Sequence, residues 1–303
     1  MSAAAALVRT LEAAVPGRVR ADEPLARHTS FRIGGPADVL VVPETAVELG
    51  AVVRVATAER APLTMLGGGS NMLVGDGGIR GIVVKLGRGF RRITWEDACV
   101  EAGAAVQLGR LARDAVERGL AGLEYAEGIP GTVGGALFMN AGAYGGEIAG
   151  AVDEVEGVEA DGTVRRLGNG TLAFTYRRTA LPPGFVVSAV RFRLRPEDPG
   201  AVQARMDAAR TRRTASQPHG AANAGSIFKN PRGDYAGRLV EAAGLKGTRV
   251  GGARISERHG NFIVNEGEAR AADVQALMQQ AQRVVWEGSG VWLEPEVRLV
   301  GSW

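Results

Sequence analysis

The sequence predicts an α+β protein in several layers, organised as three successive units. Three observations carry that prediction. Residues 30–88 alternate strand-like and helix-like patterns, residues 89–200 are mostly β around one amphipathic helix, and residues 201–300 mix helices with short strands. A chain of 303 residues is long enough for two or three cooperating domains with sizeable cores.

The elements follow in order. MSAAAALVRTLEAAVPG has no basic opening segment, and Arg9 and Glu12 interrupt its apolar run, so it reads as an amphipathic helix and not a signal peptide. ADVLVVPE is a strand ended by Pro43, and TAVELGAVVRVATAER is a helix with Thr45 and Glu48 in capping-box spacing. Val47, Ala51 and Val55 recur every fourth residue and are expected on its buried face. PLTMLGGGSNMLV runs strand, glycine turn, apolar segment, and GIVVKL is another strand.

In the second unit ITWEDACVEAG is strand-like, and VQLGRLARDAVERGL is a helix with Leu108, Leu111, Ala112, Ala115 and Val116 on one face. IPGTVGGALFMNAGAYGGEI follows as a glycine-rich loop, then β segments such as FVVSAVRFRL. Pro196, Asp198, Pro199 and Gly200 read as a linker. The third unit opens with the helix AVQARMDAARTRR, and DYAGRLVEAAGLKG follows with Asp234 as N-cap and Gly244 as stop. NFIVN is a strand, ADVQALMQQAQRVVWEG a helix with Val274, Leu277, Met278, Ala281 and Val285 on its core side, and VWLEPEVRLVG a closing strand.

Composition narrows the function. Hydrophobic residues at 45% and charged residues at 23% are ordinary for a globular chain, whereas 44 glycines point to tight turns and close backbone approaches. Aromatics at 5% leave no base-stacking surface, and without a basic run the net charge of +3 fits an anionic small ligand better than a nucleic-acid partner. One cysteine, Cys99, excludes an internal disulfide and a cysteine-rich zinc site, and His28, His219 and His259 are too dispersed for a local metal motif. No uncharged apolar stretch reaches spanning length, so a cytoplasmic protein without a membrane partner is expected.

Five segments offer chemistry. In LGGGSN (66–71) three glycines let backbone N–H groups converge on an anion, with Ser70 and Asn71 as further donors. There is no Gly-Lys-Ser/Thr ending, and Met72 stands where a third dinucleotide-fold glycine belongs, so taken alone a plain turn is an equal reading. GIPGTVGGALFMNAGAYGG (128–146) is poor in side chains and suits a flat or extended ligand against its backbone, or an ordinary crossover. TYRRTAL (175–181) offers Tyr176, Arg177 and Arg178; arginine forks bind carboxylate or phosphate, although an exposed pair is commoner. WLEPEV (292–297) as a strand places Trp292, Glu294 and Glu296 on one face and Val291, Leu293 and Val297 on the other. By the same period, NAGSIFKNP (223–231) groups Ser226, Phe228 and Asn230 opposite Ile227 and Lys229. No Gly-x-Ser-x-Gly elbow marks Ser226 as a hydrolase nucleophile.

Taken together and in order, HTSFRIGGPAD (28–38), LGGGSNMLV, GIPGTVGGALFMNAGAYGGEI, TYRR, AGSIFKNP, EAAGLKG, GGARISERHGNFIVN and LEPEV resemble the UDP-N-acetylenolpyruvoylglucosamine reductase family over most of the chain beyond residue 25. The resemblance implies an FAD-binding fold of the vanillyl-alcohol oxidase type in two α/β subdomains, 1–88 and 89–200, with the C-terminal segment returning to the first. A C-terminal α+β substrate domain, 201–303, completes it. The resemblance implies non-covalent FAD; the absence of a His or Cys from either glycine-rich loop disfavours the oxidases of this fold that attach FAD covalently. Gly67, Gly68, Gly69, Ser70 and Asn71 would receive its pyrophosphate, and Ile129, Gly131, Thr132, Gly134, Gly135, Asn140 and Gly142 would support the rest. NADPH would be the reductant and a UDP-sugar enolpyruvyl ether the substrate, with no metal and a monomeric protein. Arg177 and Glu296 match the family's charge-handling pair, Ser226 its proton donor, and Tyr176 and Asn230 its substrate-site positions. Arg213, or Arg212 beside it, stands where a phosphate contact is expected, because no lysine precedes the Gln-Pro. The chain resembles the compact type without the extra tyrosine loop. A sugar or alcohol oxidase of the same fold, or a non-catalytic nucleotide-binding protein, are the alternatives.

Overall fold

The computed structural model describes residues 3–218 and 220–303. Met1, Ser2 and His219 lie outside the described residues, and with them the sequence reading of His219. The chain divides into two compact units, each assembled from separate segments: residues 1–21, 39–68 and 81–212 form one, and residues 22–38, 69–80 and 213–303 the other.

In the first unit one core lies between two helices and a sheet. The Ala3–Ala14 helix supplies Leu7 and Leu11, and the Ala46–Ala58 helix supplies Leu49, Val52, Val53 and Ala56. They pack with Val39, Val41, Ile82 and Val84, and the strand Leu63–Met65 runs parallel to Ile79–Val84. Val47 corrects the expectation, because it is 80% exposed while Leu49, Val52, Val53 and Ala56 face inward. Ala51 and Val55 are half-buried against the same core, and the apolar stripe that meets the sheet is the one starting at Leu49. Thr45 Oγ1 does accept the Glu48 N–H at 3.1 Å, and the Glu48 carboxylate reaches back one residue further than expected, to the N–H of Glu44.

The second core of this unit is built on a five-stranded antiparallel sheet in the order Val164–Gly168, Val152–Val158, Val186–Arg193, Cys99–Gly103, Ile93–Glu96. The Leu108–Val116 helix buries Leu108, Leu111, Ala112, Ala115 and Val116, the face its spacing predicts. Truncating Leu111, fully buried, would cost about 2–5 kcal/mol. Two other readings change. Inside the glycine-rich loop Val133–Phe138 forms a short helix capped by Thr132, whose Oγ1 accepts the Gly135 N–H. The run read as a linker starts a helix instead, Pro199–Ser216, with Pro199 in its first position and Asp198 Oδ1 accepting the Ala201 N–H at 2.9 Å.

The second unit carries an antiparallel sheet in the order Ala222–Asn223, Ile263–Asn265, Ala253–Ile255, Arg249–Val250. The Ala271–Ser289 helix covers its core with Val274, Leu277, Met278, Ala281 and Val285, all buried as the period predicts. The Ala236–Ala242 helix stops before Gly244, which takes φ +69°, but Tyr235 stands at its N-cap and Asp234 Oδ1 accepts the Tyr235 N–H one residue earlier than expected. The closing strand is only Arg298–Val300, parallel to Met72–Val74. Among the described residues no helix is long and apolar enough to cross a membrane.

Candidate active site

The glycine-rich loops of the first unit touch at Gly67 and Gly68. A Cβ added to Gly68 would lie 2.8 Å from Gly131 Cα, and one on Gly67 would lie 2.9 Å from Thr132 Oγ1. Gly131 and Thr132 are pinned from behind: Leu108 N–H donates to Gly131 O at 3.0 Å and Val133 N–H to Val106 O at 2.8 Å. The N–H groups of Gly67, Gly68, Gly131 and Thr132 meet no protein acceptor among the described residues. Four unsatisfied donors on a surface bare of side chains fit the pyrophosphate of FAD, the group the resemblance implies. Gly134 and Gly142 are glycine for packing, since a Cβ would lie 2.9 Å from Ala104 Cβ and 2.6 Å from Gly146 O respectively. Gly135 is exposed and Ile129 packs on the core edge.

Asn140 differs from the rest of its loop. It is fully buried with φ +41°, and Nδ2 donates to Thr175 O and to Glu147 Oε2, each at 3.0 Å. Its Oδ1 accepts the Ala149 N–H at 3.2 Å, so both amide hydrogens and the amide oxygen are engaged within the protein.

Tyr176 and Arg177 form the two-residue turn of a hairpin in which Thr175 pairs with Arg178 and Phe174 with Thr179. Arg177 sits at φ +58°, a left-handed conformation usually left to Gly or Asn, and its guanidinium lies 4.8 Å from the Tyr176 ring centroid. Strain of this kind persists only where neighbours enforce it and clusters at functional sites.

A cavity of about 580 Å³ in the same unit is lined by Tyr125, Tyr144, Glu147, Arg195, Arg205 and Arg212 among others. Arg205 is held by Glu124 and by both oxygens of Glu197. Burial pushes the Tyr125 phenol well above its ordinary value, with the Glu147 and Glu124 charges adding to it. It is Arg212 that reaches this cavity, whereas Arg213 donates to Gln217 Oε1 at 3.1 Å.

In the second unit Ser226 and Glu296 come from adjoining backbones. Ile227 O accepts the N–H groups of Glu296 at 2.8 Å and Val297 at 3.3 Å, Lys229 N–H donates to Glu294 O, and Phe228 bridges Pro295. On the other flank Asn261 grips the same stretch, with Oδ1 accepting the Phe228 N–H and Nδ2 donating to Phe228 O, both at 2.8 Å. Strict alternation therefore fails: Ile227 and Phe228 are both buried, and Phe228 does not share an open face with Ser226. Ser226 is half-buried and its hydroxyl has no hydrogen-bond partner among the described residues. Lys229 pairs with Glu294 at 2.5 Å. In WLEPEV Leu293 and Val297 are buried and Trp292 and Glu294 exposed as predicted, whereas Glu296 and the preceding Val291 are both half-buried.

Asn71 joins this arrangement: Nδ2 donates to Glu296 O at 3.2 Å, and Asn71 O accepts the Arg298 N–H at 3.0 Å. Gly69 needs its φ of +63°, and a Cβ there would come within 2.2 Å of His28 O. Ser70 is half-buried beside it in the chain. Asn230 is exposed and its Oδ1 accepts the Ala236 N–H at 3.1 Å, so it serves the following helix as well as facing solvent.

Sequence reasoning overlooked Asn261 and weighed His259 only as a metal ligand. His259 Nδ1 accepts the Asn261 N–H at 3.1 Å, packs edge-on to Phe262, and is held below its ordinary value by burial. Both lie within GGARISERHGNFIVN, but an isolated His-Gly-Asn carries no periodic signal.

Two family models match the chain: an FAD binding domain over residues 37–168 and the C-terminal domain of UDP-N-acetylenolpyruvoylglucosamine reductase over residues 217–300. UDP-N-acetylenolpyruvoylglucosamine reductase 2 of Symbiobacterium thermophilum is 50% identical over 287 residues, which cover 94% of this chain and 93% of the relative. The reductase of Alkalilimnicola ehrlichii is 47% identical, over 95% of this chain and 96% of its own. The crystal structure of the reductase from Thermus caldophilus matches with a TM-score of 0.80 at 41% identity, covering 91% of this chain and 97% of that one. The chain thus belongs to the UDP-N-acetylenolpyruvoylglucosamine reductase family, the FAD-dependent oxidoreductases of peptidoglycan biosynthesis.

Proposed function

We propose that this protein uses NADPH to reduce UDP-N-acetylglucosamine enolpyruvate to UDP-N-acetylmuramate, acting as a cytoplasmic monomer. Bound FAD would supply the redox chemistry, passing a hydride taken from NADPH to C3 of the enolpyruvyl group. The Arg177 guanidinium forks onto the substrate carboxylate and favours the enolate-like charge that develops there. Glu296 acts on the same charge. Ser226 donates the proton to C2; an enolate carbon is basic enough to take it from a hydroxyl. Tyr176, Asn230 and Arg213 complete the substrate contacts, with Arg212 as the arginine that reaches the cavity. Gly67, Gly68, Gly131 and Thr132 would hold the FAD pyrophosphate through their N–H groups, while Gly69, Ser70 and Asn71 continue that loop. By function we divide the chain into FAD-binding subdomains 1–88 and 89–200, the C-terminal segment returning to the first, and a substrate domain 201–303.

The observation that supports this best is the uncommitted Ser226 hydroxyl beside the Glu296 backbone. Purified protein should be yellow, bleached by NADPH and recoloured without oxygen by the UDP-enolpyruvyl sugar. Bleaching without recolouring would overturn the assignment.

A further inference from the structure

The Tyr176–Arg177 turn is attached to the protein by its two flanks. On one strand Thr179 Oγ1 donates to Leu137 O at 2.5 Å, and on the other Asn140 Nδ2 donates to Thr175 O at 3.0 Å. Leu137 and Asn140 belong to the Val133–Phe138 helix and the turn that leaves it, and Asn140 N–H closes that turn onto Leu137 O at 3.0 Å. The same helix is capped by Thr132, whose N–H is one of the four unsatisfied groups. A six-residue helix is about 9 Å long, so one short rigid element carries the N–H cradle at its start and the arginine turn at its end.

Asn140 is suited to this by conformation and by chemistry. Its φ of +41° is one that asparagine tolerates better than most residues, and burial at 0% exposure makes an unmatched amide costly. Glu147 Oε2 takes the second amide hydrogen and Ala149 N–H occupies Oδ1, which fixes the amide's orientation toward Thr175. Arg177, two residues beyond Thr175, is held at φ +58°, a conformation it would leave if the flank were released.

We propose that Asn140, oriented by Glu147, is a positioning residue that sets Arg177 for the enolpyruvyl carboxylate. The proposal rests on the role assigned to Arg177 above, and the test separates the two.

The variants are Glu147→Gln, Arg177→Ala, and Asn140→Asp combined with Glu147→Gln. After Glu147→Gln the new side chain still offers an amide oxygen to Asn140, so the single variant is the reference against which the double variant is read. In the double variant the carboxylate introduced at position 140 keeps the acceptor for the Ala149 N–H and tolerates the left-handed backbone. The neutral amide introduced at position 147 avoids repulsion between two carboxylates; what is lost is the donor to Thr175. Flavin content, melting temperature, flavin bleaching by NADPH, and anaerobic recolouring by the UDP-enolpyruvyl sugar are then measured. The double variant should keep its flavin and bleach within about twofold of the parent, yet recolour about 10- to 100-fold more slowly, the effect expected of a misplaced binding group. Its affinity for the sugar, followed by the flavin spectrum of the oxidised protein, should weaken in parallel. Adding Arg177→Ala to it should slow recolouring no further than Arg177→Ala alone. Parental recolouring in the double variant beside a slow Arg177→Ala, or loss of flavin from the double variant, overturns the positioning role. Parental recolouring in Arg177→Ala overturns the role of Arg177 itself.

Discussion

The backbone N–H of Glu296 donates to the carbonyl of Ile227 at 2.8 Å, and that bond decides what lies beside Ser226. Residues about seventy positions apart become neighbours through main-chain atoms, so the pairing does not depend on either side chain. Asn261 secures the opposite flank with two side-chain bonds to Phe228. Substituting Ser226 or Glu296 should therefore change chemistry without moving the backbone.

Ser226→Ala tests this most directly. The hydroxyl makes no protein hydrogen bond among the described residues, so its removal should leave the melting temperature unchanged within about 1 °C. Flavin bleaching by NADPH should stay near the parental rate, and recolouring by the UDP-enolpyruvyl sugar should fall about 10²- to 10⁴-fold, the usual weight of a general acid. Stopped-flow absorbance follows both halves. Equal slowing of the two would rule out the proton-donor role.

Arg177→Gly should separate stability from activity. Glycine accepts the left-handed backbone that arginine strains to adopt, which favours the folded protein by about 1 kcal/mol. The lost contact with the Tyr176 ring offsets part of this, about 0.5 kcal/mol at an exposed site. Thermal unfolding should show a melting temperature no lower than the parent, while recolouring slows at least about 100-fold. A clearly lower melting temperature would mean the turn is not strained.

Gly68→Ala should release the cofactor. The added Cβ would press on Gly131 Cα from 2.8 Å, a backbone atom that cannot swing aside, and the loops must part to admit it. The ratio of flavin to protein absorbance should drop severalfold. Gly145→Ala is the contrast: nothing lies within 4 Å of its Cβ position, and its φ of +88° makes the cost one of strain without a clash. It should keep its flavin.

His259 should make stability fall in mild acid. Burial is the main reason its imidazole lies below the ordinary 6.5; Lys246 adds to that and Glu241 opposes it. The folded state thus favours the neutral ring, so this contribution is complete above 6.5 and is lost as the pH falls from there toward the folded value. Protonation would also put a hydrogen on Nδ1, the atom that accepts the Asn261 N–H. His259→Asn keeps an acceptor for that N–H in an Asx-turn and cannot titrate. Urea midpoints compared at about pH 7.5 and about pH 5 should differ less in the variant than in the parent. An equal drop in both would show that His259 is not the titrating group.

The long helices were legible because their stripes are regular. Leu108 to Val116 and Val274 to Val285 bury the side chains their spacing names. Val47 failed because two apolar stripes on one helix competed, and only the sheet beneath could select the one through Leu49. The Val133–Phe138 helix escaped notice because Gly134 and Gly135 are poor helix formers; the Thr132 cap and packing on Ala104 sustain it. Asp234 and Pro199 show the usual slippage at helix starts, where several polar residues compete for one cap.

By itself the sequence determined the chemistry available: which loops are bare backbone, where a fixed cation stands, which serine lies in an extended stretch, and which helix faces are apolar. These are properties of residue type and local spacing. Tertiary structure alone decided that Asn140 faces inward to hold Thr175, that Asn71 and Ile227 both grip Glu296, and that Phe228 is buried where alternation would expose it. Each of these depends on hydrogen bonds between segments far apart in the chain, and such bonds leave no period in the sequence to read.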